Sequence, residues 1–270
     1  MLDPSIYLIP SDSDLDLESH DPDAKTGFEG GKAEGQAALP VQTKQLAELQ
    51  RRLWAEAKRS LLLVLQATDT GGKDGTIRHV FRGVNPQGVR VHSFGVPSET
   101  ELAHDYLWRI HAHVPPDGYI GVFNRSHYED VLVVRVKDLA PEEVWSKRYQ
   151  HIREFERVLS DEGTTIVKVF LNISKDEQKE RLEARLDEPD KTWKFRKGDV
   201  DDRALWDDFR TAYADAIRET STDHAPWYVV PANRKWYRNL VVSRILIDTL
   251  ERMDPQYPEP EEGLEDVVIE

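Results

Sequence analysis

The sequence predicts an α/β protein in which helices cover both faces of a parallel sheet of five strands. Five apolar segments of six to ten residues alternate with longer segments of helical periodicity, a pattern typical of strand–helix–strand crossover units. The apolar run LLLVLQA at 61–67 has no polar alternation, as expected of a strand that is buried on both faces. Segment 141–163 begins with Pro141 and ends at Gly163, residues that favour the start and the end of a helix.

The remaining elements are predicted from the same two periodicities. Leu46, Leu49 and Leu53 recur at helical spacing before the first strand, and a glycine-rich turn separates that strand from the second helix. Short runs rich in Val, Ile and aromatic residues predict the other strands, and amphipathic or charged segments between them predict the other helices. The predicted strands are 61–67, 89–94, 119–124, 164–173 and 227–232. The predicted helices are 36–58, 73–83, 99–114, 141–163, 175–187, 203–219 and 235–252.

The acidic charge of the chain is concentrated at its two ends. The net charge is −14, and residues 1–35 hold nine acidic side chains against two lysines. Residues 251–270 hold eight acidic side chains against one arginine. Residues 36–250 carry 33 acidic and 33 basic side chains, so a polyanionic substrate is compatible with the charge, provided that the basic site is local. We therefore predict an acidic arm over 1–35, one domain over 36–253 and an acidic tail over 254–270.

Composition excludes several classes of site. The chain has no cysteine, which rules out disulfides, thiolate metal sites and a cysteine nucleophile. No apolar run reaches membrane-spanning length, and residues 1–19 lack the basic region of a signal peptide. A soluble cytoplasmic protein is expected, with neither a membrane nor nucleic acid as a partner.

The strongest local signal is QATDTGGKDGT at 66–76, which follows the apolar strand and opens a helix. In such a loop, glycines let the backbone wrap a phosphate, and the N–H groups at the helix start supply a positive field. Lys73 would add an ammonium group, and Asp69 is the natural metal ligand because Asp74 stands where a metal-binding Ser or Thr is usual. The alternative is an ordinary glycine-rich turn with a solvated Lys73. The predicted phosphate-binding positions are Thr70, Gly71, Gly72, Lys73, Asp74, Gly75 and Thr76.

A second polar segment, FNRSHYED at 123–130, ends the third predicted strand. In doubly wound sheets, ligands gather at the carboxyl ends of strands. The segment offers a polar group from Asn124, a phosphate-binding Arg125 and the carboxylates of Glu129 and Asp130. The alternative is a polar loop with one helix cap.

Basic residues cluster around 181–202, which we interpret as a mobile lid whose polar part, 187–202, interrupts two helices. Arg181 and Arg185 lie four residues apart, on one helix face, and Lys194 follows in the polar stretch. Cations that a closing lid brings over a phosphate stabilise the transition state of phosphoryl transfer. The alternative is a solvated face on which these cations pair with neighbouring Asp and Glu side chains.

With these motifs in one order, the chain closely resembles the type 2 polyphosphate kinases from about Phe28 to Met253. The resemblance rests on FEGGK (28–32), LQATDTGGKDGTIRHVF (65–81), FNRSHYEDVLV (123–133), YQHIREFERVLSDEGTTIVKVFLNISKDEQKERLEARLD (149–187), WKFRKGD (193–199), STDHAPWYVVPA (221–232) and KWYRN (235–239). It implies a phosphate-loop kinase fold like that of thymidylate kinase, with a helical lid. It also implies transfer of the terminal phosphoryl group of inorganic polyphosphate to a nucleotide, with Mg²⁺ or Mn²⁺ as cofactor. In this family the loop holds the phosphates of the acceptor, and polyphosphate runs through a basic channel.

The resemblance also implies roles for single residues. Asp69 resembles the acidic loop residue near Mg²⁺, Lys73 the loop lysine and Arg125 the arginine of the second motif, so these three are the expected catalytic residues. Glu129 is expected to share the metal with Asp69. Asn124 stands where many relatives have Asp, and this difference accompanies class III members, which accept both nucleoside mono- and diphosphates. The implied substrates are therefore polyphosphate with ADP and AMP, GDP and GMP being further candidates. ATP is the implied product, and a homo-oligomer is expected.

Two alternatives stay open at this point. A nucleoside monophosphate kinase that uses ATP as donor would share the loop, the sheet and the lid. A regulator that binds nucleotide or polyphosphate would keep the loop but would have lost catalytic activity. The presence of Asp69, Lys73 and Arg125 argues against such a loss. An assay with ADP or AMP, long-chain polyphosphate and Mg²⁺ separates the three functions.

Overall fold

A computed structural model describes residues 2–264 and 267–269 and has a mixed sheet of six strands at its centre. The strands are β1 (Leu8–Ile9), β2 (Ser60–Gln66), β3 (Val89–Ser93), β4 (Ile120–Asn124), β5 (Thr164–Asn172) and β6 (Trp227–Pro231). They lie in the order β1-β6-β5-β2-β4-β3, and every neighbouring pair is parallel except β1 with β6. The predicted α/β fold class is confirmed, and β2 to β6 are the five strands that the sequence predicts.

Helices join the strands and cover both faces of the sheet. The α-helices are α1 (Lys32–Glu56), α2 (Lys73–Val80), α3 (Glu99–Leu102), α4 (Trp108–His111), α5 (Val133–Val136), α6 (Glu142–Asp161), α7 (Lys175–Asp187), α8 (Gly198–Ala204), α9 (Trp206–Thr220) and α10 (Lys235–Met253). Helix α7 has the predicted bounds. No helix in the described part of the chain combines the length and the apolar character that a bilayer crossing requires.

Strand β2 separates two apolar clusters, one on each face of the sheet. Leu61, Leu63 and Leu65 belong to a cluster with side chains of α1 and α10, whereas Leu62 and Val64 belong to a cluster with side chains of α6 and α9. All seven residues of β2 are buried, which confirms the strand predicted from the unbroken apolar run. Because β2 is central and parallel to both neighbours, the polar loops at its carboxyl end and at that of β4 lie side by side.

Residues 2–20 pack on the sheet, whereas the sequence predicts an irregular acidic arm for this region. Strand β1 adds to β6 in antiparallel register, with Leu8 opposite Tyr228, and gives the sheet its sixth strand. The acidic side chains of the segment are exposed, as are Ile6 and Leu8, while five of its large apolar side chains are buried. These buried residues are Leu2, Tyr7, Ile9, Leu15 and Leu17. Tyr7 and Ile9 are two residues apart, as are Leu15 and Leu17, but neither pair extends into an alternating run long enough to predict a strand.

The single helix predicted over 99–114 is wrong, because the structure has two one-turn helices, α3 and α4, in its place. Asp105 lies between them, and its carboxylate accepts hydrogen bonds from the backbone N–H groups of Leu107 and Trp108 at 3.0 and 3.1 Å. Asp side chains compete in this way with the backbone bonds of a helix. The apolar residues of this segment recur at helical spacing, but the Asp105 side chain caps a second, separate helical turn in its middle.

Candidate active site

The loop 67–72 joins the buried strand β2 to helix α2 in a tight turn. Thr70 and Gly72 have positive φ angles of 62° and 100°. A Cβ atom on Gly71 would lie 2.4 Å from the Cβ of Ala67, so the turn excludes any larger residue at that position. The first N–H groups of a helix have no partner within the helix, and here they follow a loop that closes at the edge of the sheet. This is the backbone geometry that the motif predicts.

Lys73 is buried at the first residue of α2. Its Nζ donates a hydrogen bond to the backbone oxygen of Ala67 at 2.9 Å. Burial, followed by the nearby positive charge of Arg125, lowers the pKa of Lys73 to about 8. An ammonium group carries three donors, so a single neutral acceptor pairs it incompletely. A phosphate oxygen within the loop would stabilise this charge.

The segment that follows β4 lies beside the loop because Leu65 of β2 is opposite Asn124 of β4. Arg125 has a φ of 63°, and its backbone N–H donates to the oxygen of Leu65 at 3.1 Å. Its Nη2 donates to Oδ1 of Asp69 at 3.0 Å, and its Nη1 lies 3.6 Å from Oε2 of Glu129. The structure thus brings Asp69 into one cluster with Arg125 and Glu129, which follow it by more than 50 residues in the sequence, and this cluster lies next to Lys73.

A buried polar network anchors the segment that carries Arg125 and Glu129. The hydroxyl of Tyr128 donates to Oε1 of Glu156 at 2.9 Å, and Nζ of Lys168 donates to Oε2 of the same carboxylate at 2.5 Å. Sequence reasoning missed Glu156 and Lys168, since each is one charged residue within an otherwise well-explained helix or strand. Their meeting depends on the packing of α6 against β5.

Asn124 contacts the phosphate loop through Asp74. Its side-chain amide donates to Oδ1 of Asp74 at 2.7 Å, and Nζ of Lys194 lies 3.9 Å from the other carboxylate oxygen. The Asp74 side chain is 70% exposed, so this carboxylate lies at the open side of the site. The side chain of Asp74 is therefore the point at which the phosphate loop contacts both β4 and the stretch predicted as a lid.

Arg181 is buried beneath the loop rather than extended over it. Its Nη1 donates to the backbone oxygen of Thr70 at 3.0 Å, and its Nη2 donates to that of Ala232 at 2.7 Å. Its Nε donates to Oε1 of Glu177 at 2.6 Å. These bonds hold the loop against α7 and the end of β6, so Arg181 supports the conformation of the loop in this structure. Contact of Arg181 with phosphate stays a prediction.

The other two predicted lid cations lie further out. Arg185 pairs with Asp199 of α8 at 3.2 Å, and Lys194 belongs to a 3₁₀ turn, Thr192–Lys194, in the stretch between α7 and α8. The three cations of the predicted lid therefore do not act as one group in this structure. Whether the stretch closes over substrate stays a prediction.

Arg238 of α10 lies against the first turn of α2, and sequence reasoning missed it. A Cβ atom on Gly72 would lie 1.9 Å from its Nη1, and one on Gly75 would lie 3.4 Å from its Nη2. Thr76, on the same turn, donates its hydroxyl to the backbone oxygen of Gly72 at 3.1 Å. The only signal for Arg238 is its place in the segment KWYRN at 235–239, where the spacing does not distinguish it from other helix charges.

A cleft opens beside the acidic cluster, and one of its walls is aromatic. Trp206, Phe209 and Tyr213 of α9 form that wall, and Asp69 and Glu129 also line the cleft. The side-chain amide of Gln178 donates to the backbone oxygen of Asp69 at 3.2 Å and helps to place it. An apolar wall lowers the local dielectric constant, which strengthens the attraction between the carboxylates and any cation bound there.

The carboxylates of Asp69 and Glu129 fit a magnesium ion that is bound together with substrate. No group of three or more His, Cys, Asp or Glu side chains among residues 2–264 and 267–269 could hold a metal ion by itself. Mg²⁺ sites of kinases commonly use one or two carboxylates and complete the shell with water and substrate phosphates. The side chains of Asp69 and Glu129 are 19% and 15% exposed, so both can be reached from the cleft.

Comparisons with known proteins agree on one family. A family model described as polyphosphate kinase 2 matches residues 30–258. The chain is 61% identical to an AMP/ADP-polyphosphate phosphotransferase of Meiothermus ruber over 98% of this chain and 99% of that protein. It is 48% identical to an ADP-polyphosphate phosphotransferase of Rhodopseudomonas palustris over 82% and 81%. The fold is similar to the crystal structure of polyphosphate kinase 2 from Arthrobacter aurescens, with a TM-score of 0.94, 46% identity and coverage of 97% and 94%.

Proposed function

The chain belongs to the polyphosphate kinase 2 family, and we propose that it transfers the terminal phosphoryl group of inorganic polyphosphate to ADP and AMP, with ATP as the final product. The observation that carries the proposal is the gathering of Asp69, Lys73, Arg125 and Glu129 around one phosphate loop. The names of the Meiothermus and Rhodopseudomonas relatives support the donor and the acceptors. An ATP-dependent monophosphate kinase and a non-catalytic binding protein are not favoured.

In this reaction a phosphate oxygen of the acceptor attacks the terminal phosphorus of polyphosphate, and the bond from that phosphorus to its bridging oxygen breaks. The shortened chain leaves as an anion, so no enzyme nucleophile is required. The main barrier is the approach of two polyanions, since two unit charges about 4 Å apart repel by about 4 kcal/mol at an effective dielectric constant of about 20. Lys73 and Arg125 would offset this repulsion and hold the oxygens in line.

Magnesium would be held by Asp69 and Glu129 and would neutralise phosphate charge. We expect Asp69→Asn to lower turnover, with partial recovery at high Mg²⁺, because the amide keeps its shape but binds the ion less well. Activity measured against Mg²⁺ concentration tests this role. If Asp69→Asn left activity unchanged, Asp69 would not be a metal ligand and Glu129 would be the remaining candidate.

The function is tested by incubating the protein with long-chain polyphosphate, Mg²⁺ and either ADP or AMP, and by measuring ATP with a coupled luminescent readout. We expect ATP from both acceptors, and ADP as an intermediate when AMP is supplied. A parallel reaction with ATP and AMP but no polyphosphate detects the monophosphate kinase. Nucleotide binding without any turnover would identify the non-catalytic alternative.

A further inference from the structure

Arg238 is a buried cation for which the described part of the chain supplies no carboxylate partner. The residue is 2% exposed. Its Nε and Nη2 both donate to Oδ1 of Asn239, a neutral amide oxygen, at 3.2 and 2.9 Å. Burial of a charge without an opposite charge costs free energy. Such an arrangement is expected where a ligand supplies the missing charge.

The unbonded end of this guanidinium faces the phosphate loop. Asn239 holds Nε and Nη2, while Nη1 makes no hydrogen bond to any described residue and lies 1.9 Å from the position that a Cβ on Gly72 would take. The same position is 3.6 Å from Nη1 of Arg181. Two guanidinium groups therefore lie close to Gly72. A side chain at this position would clash with Arg238, so only glycine leaves the guanidinium groups enough space.

Arg181 is paired with Glu177, but Arg238 has no carboxylate among the described residues, and the two guanidinium groups repel each other. Burial, followed by the positive charge of Arg181, lowers the pKa of Arg238. A guanidinium group nevertheless keeps its proton at neutral pH, so the repulsion persists. Guanidinium groups recognise phosphate by charge-assisted hydrogen bonds, which are stronger than neutral ones.

Positive charge continues from this point towards solvent. Lys235 is an exposed residue in the first turn of α10. Partial desolvation and the nearby charges of Arg181 and Arg238 lower its pKa, although the carboxylate of Glu177 acts in the opposite direction. A buried and an exposed cation near the same point suit an anion of several phosphates better than a nucleotide with one or two.

We propose that Arg238, together with Arg181 at Gly72, forms a subsite for a non-transferred phosphate of a linear phosphate chain. The proposal rests on the proposed function, because it gives the donor chain a position next to the loop. It also identifies Arg238 as a ligand-binding residue that faces the same loop as Lys73 without a part in the transfer itself.

The experiment measures binding without turnover, so it stays interpretable even if no transfer is found. Calorimetry with tripolyphosphate alone, and separately with ADP alone, is performed on the full chain and on Arg238→Met. We expect the variant to lose affinity for tripolyphosphate by about tenfold or more, since a hydrogen bond to a charged group is lost. Affinity for ADP should stay within about twofold, and Arg238→Lys should restore part of the tripolyphosphate affinity by returning a point charge.

The control is Arg244→Met, which removes a partly buried arginine from the same helix. Arg244 pairs with Asp248 and Glu251, far from the loop, so its loss should leave both affinities unchanged. Without ligand, Arg238→Met should unfold at or above the wild-type temperature, because an unpaired buried charge is removed.

Loss confined to ADP would assign the same phosphate subsite to the acceptor in place of the donor. Unchanged affinity for both ligands would overturn the proposal. Equal loss for both ligands, with a lower unfolding temperature, would also overturn it, because Arg238 would then only shape the loop.

Discussion

Two lysines are buried in the described part of the chain, and they differ in how fully their charge is paired. Lys168 is fully buried in β5, and its Nζ donates to a carboxylate of Glu156, to the hydroxyl of Tyr128 and to the backbone oxygen of Thr220. Lys73 is buried in the phosphate loop, where its Nζ donates to one backbone oxygen. The carboxylates nearest to Lys73 are already engaged by Arg125.

The comparison teaches that the pairing of a buried charge, and not its burial, separates structural from functional residues in this fold. A charge with all of its donors satisfied needs no ligand, and removal of one partner mainly destabilises the protein. A buried cation with unbonded donors destabilises the folded protein until an anion binds to it. Variants of Lys73 and Lys168 test this distinction.

Lys73→Ala should lower the rate of phosphoryl transfer by about a thousandfold or more, because a preorganised charge next to the transferring phosphate is lost. The fold should survive, since Lys73 makes one hydrogen bond to the protein. Steady-state kinetics and urea unfolding of the same preparation measure the two effects. Turnover near the wild-type rate would contradict the assignment of this loop to phosphate.

Lys168→Met should destabilise the protein by about 3–5 kcal/mol, because it leaves the buried carboxylate of Glu156 without its charge partner. Tripolyphosphate affinity of the folded fraction should not change. The double variant Lys168→Met with Glu156→Gln should recover much of the lost stability in urea unfolding. If the single variant lost substrate affinity but not stability, the distinction between the two lysines would fail.

The lowered pKa of Lys73 predicts a loss of kcat/KM as pH rises above about 8. In the free enzyme this lysine loses its proton there, whereas the unfolded chain holds the proton up to its ordinary pKa. The contribution of Lys73 to stability therefore rises with pH in this window, while substrate binding weakens. Bound phosphate restores the proton, so the decline in kcat should lie at higher pH than that in kcat/KM.

The control for the pH profile is Lys73→Arg, which keeps a positive charge that does not titrate in this range. The alkaline decline should move upward or disappear in this variant, whatever its absolute rate. A decline that stays near pH 8 in Lys73→Arg would show that another group controls it.

The smallest expected effect concerns acceptor choice at Asn124, which donates a hydrogen bond to the exposed Asp74. Asn124→Asp places two carboxylates in contact and adds negative charge near the acceptor. The ratio of AMP to ADP turnover should shift by about tenfold, which requires only about 1.4 kcal/mol. Competition kinetics with both acceptors measures the ratio.

The double variant Asn124→Asp with Asp74→Asn separates charge from hydrogen bonding, because it keeps the bond and moves the charge to β4. If the ratio of AMP to ADP turnover is still shifted in the double variant, the negative charge at position 124 determines the choice of acceptor. An unchanged ratio in both variants would remove Asn124 as the selector and leave the lid or residues 221–227.

Much of the fold could be predicted because its signals are local. The bounds of α7 and the buried strand β2 follow from the periodicity and composition of consecutive residues. The phosphate loop follows from glycines in a strand-to-helix turn, since Gly71 is sterically required there whatever lies elsewhere in the chain. The second motif could be predicted to lie near the loop, because parallel strands place their carboxyl ends at one edge.

Only the tertiary structure decided how each charge is used. The sequence predicts Arg181 as a lid cation, whereas its bonds to the backbone of Thr70 and Ala232 hold it beside the phosphate loop in the structure. The sequence does not single out Arg238 or Lys168. Lys168 is distinguished by its bond to Glu156 from another element, and Arg238 by the lack of any carboxylate partner among the described residues. The sequence alone determined which segments are strands, helices and phosphate loop, since neighbouring residues set backbone conformation. The role of a buried charge depends on what surrounds it in three dimensions, and packing alone establishes those surroundings.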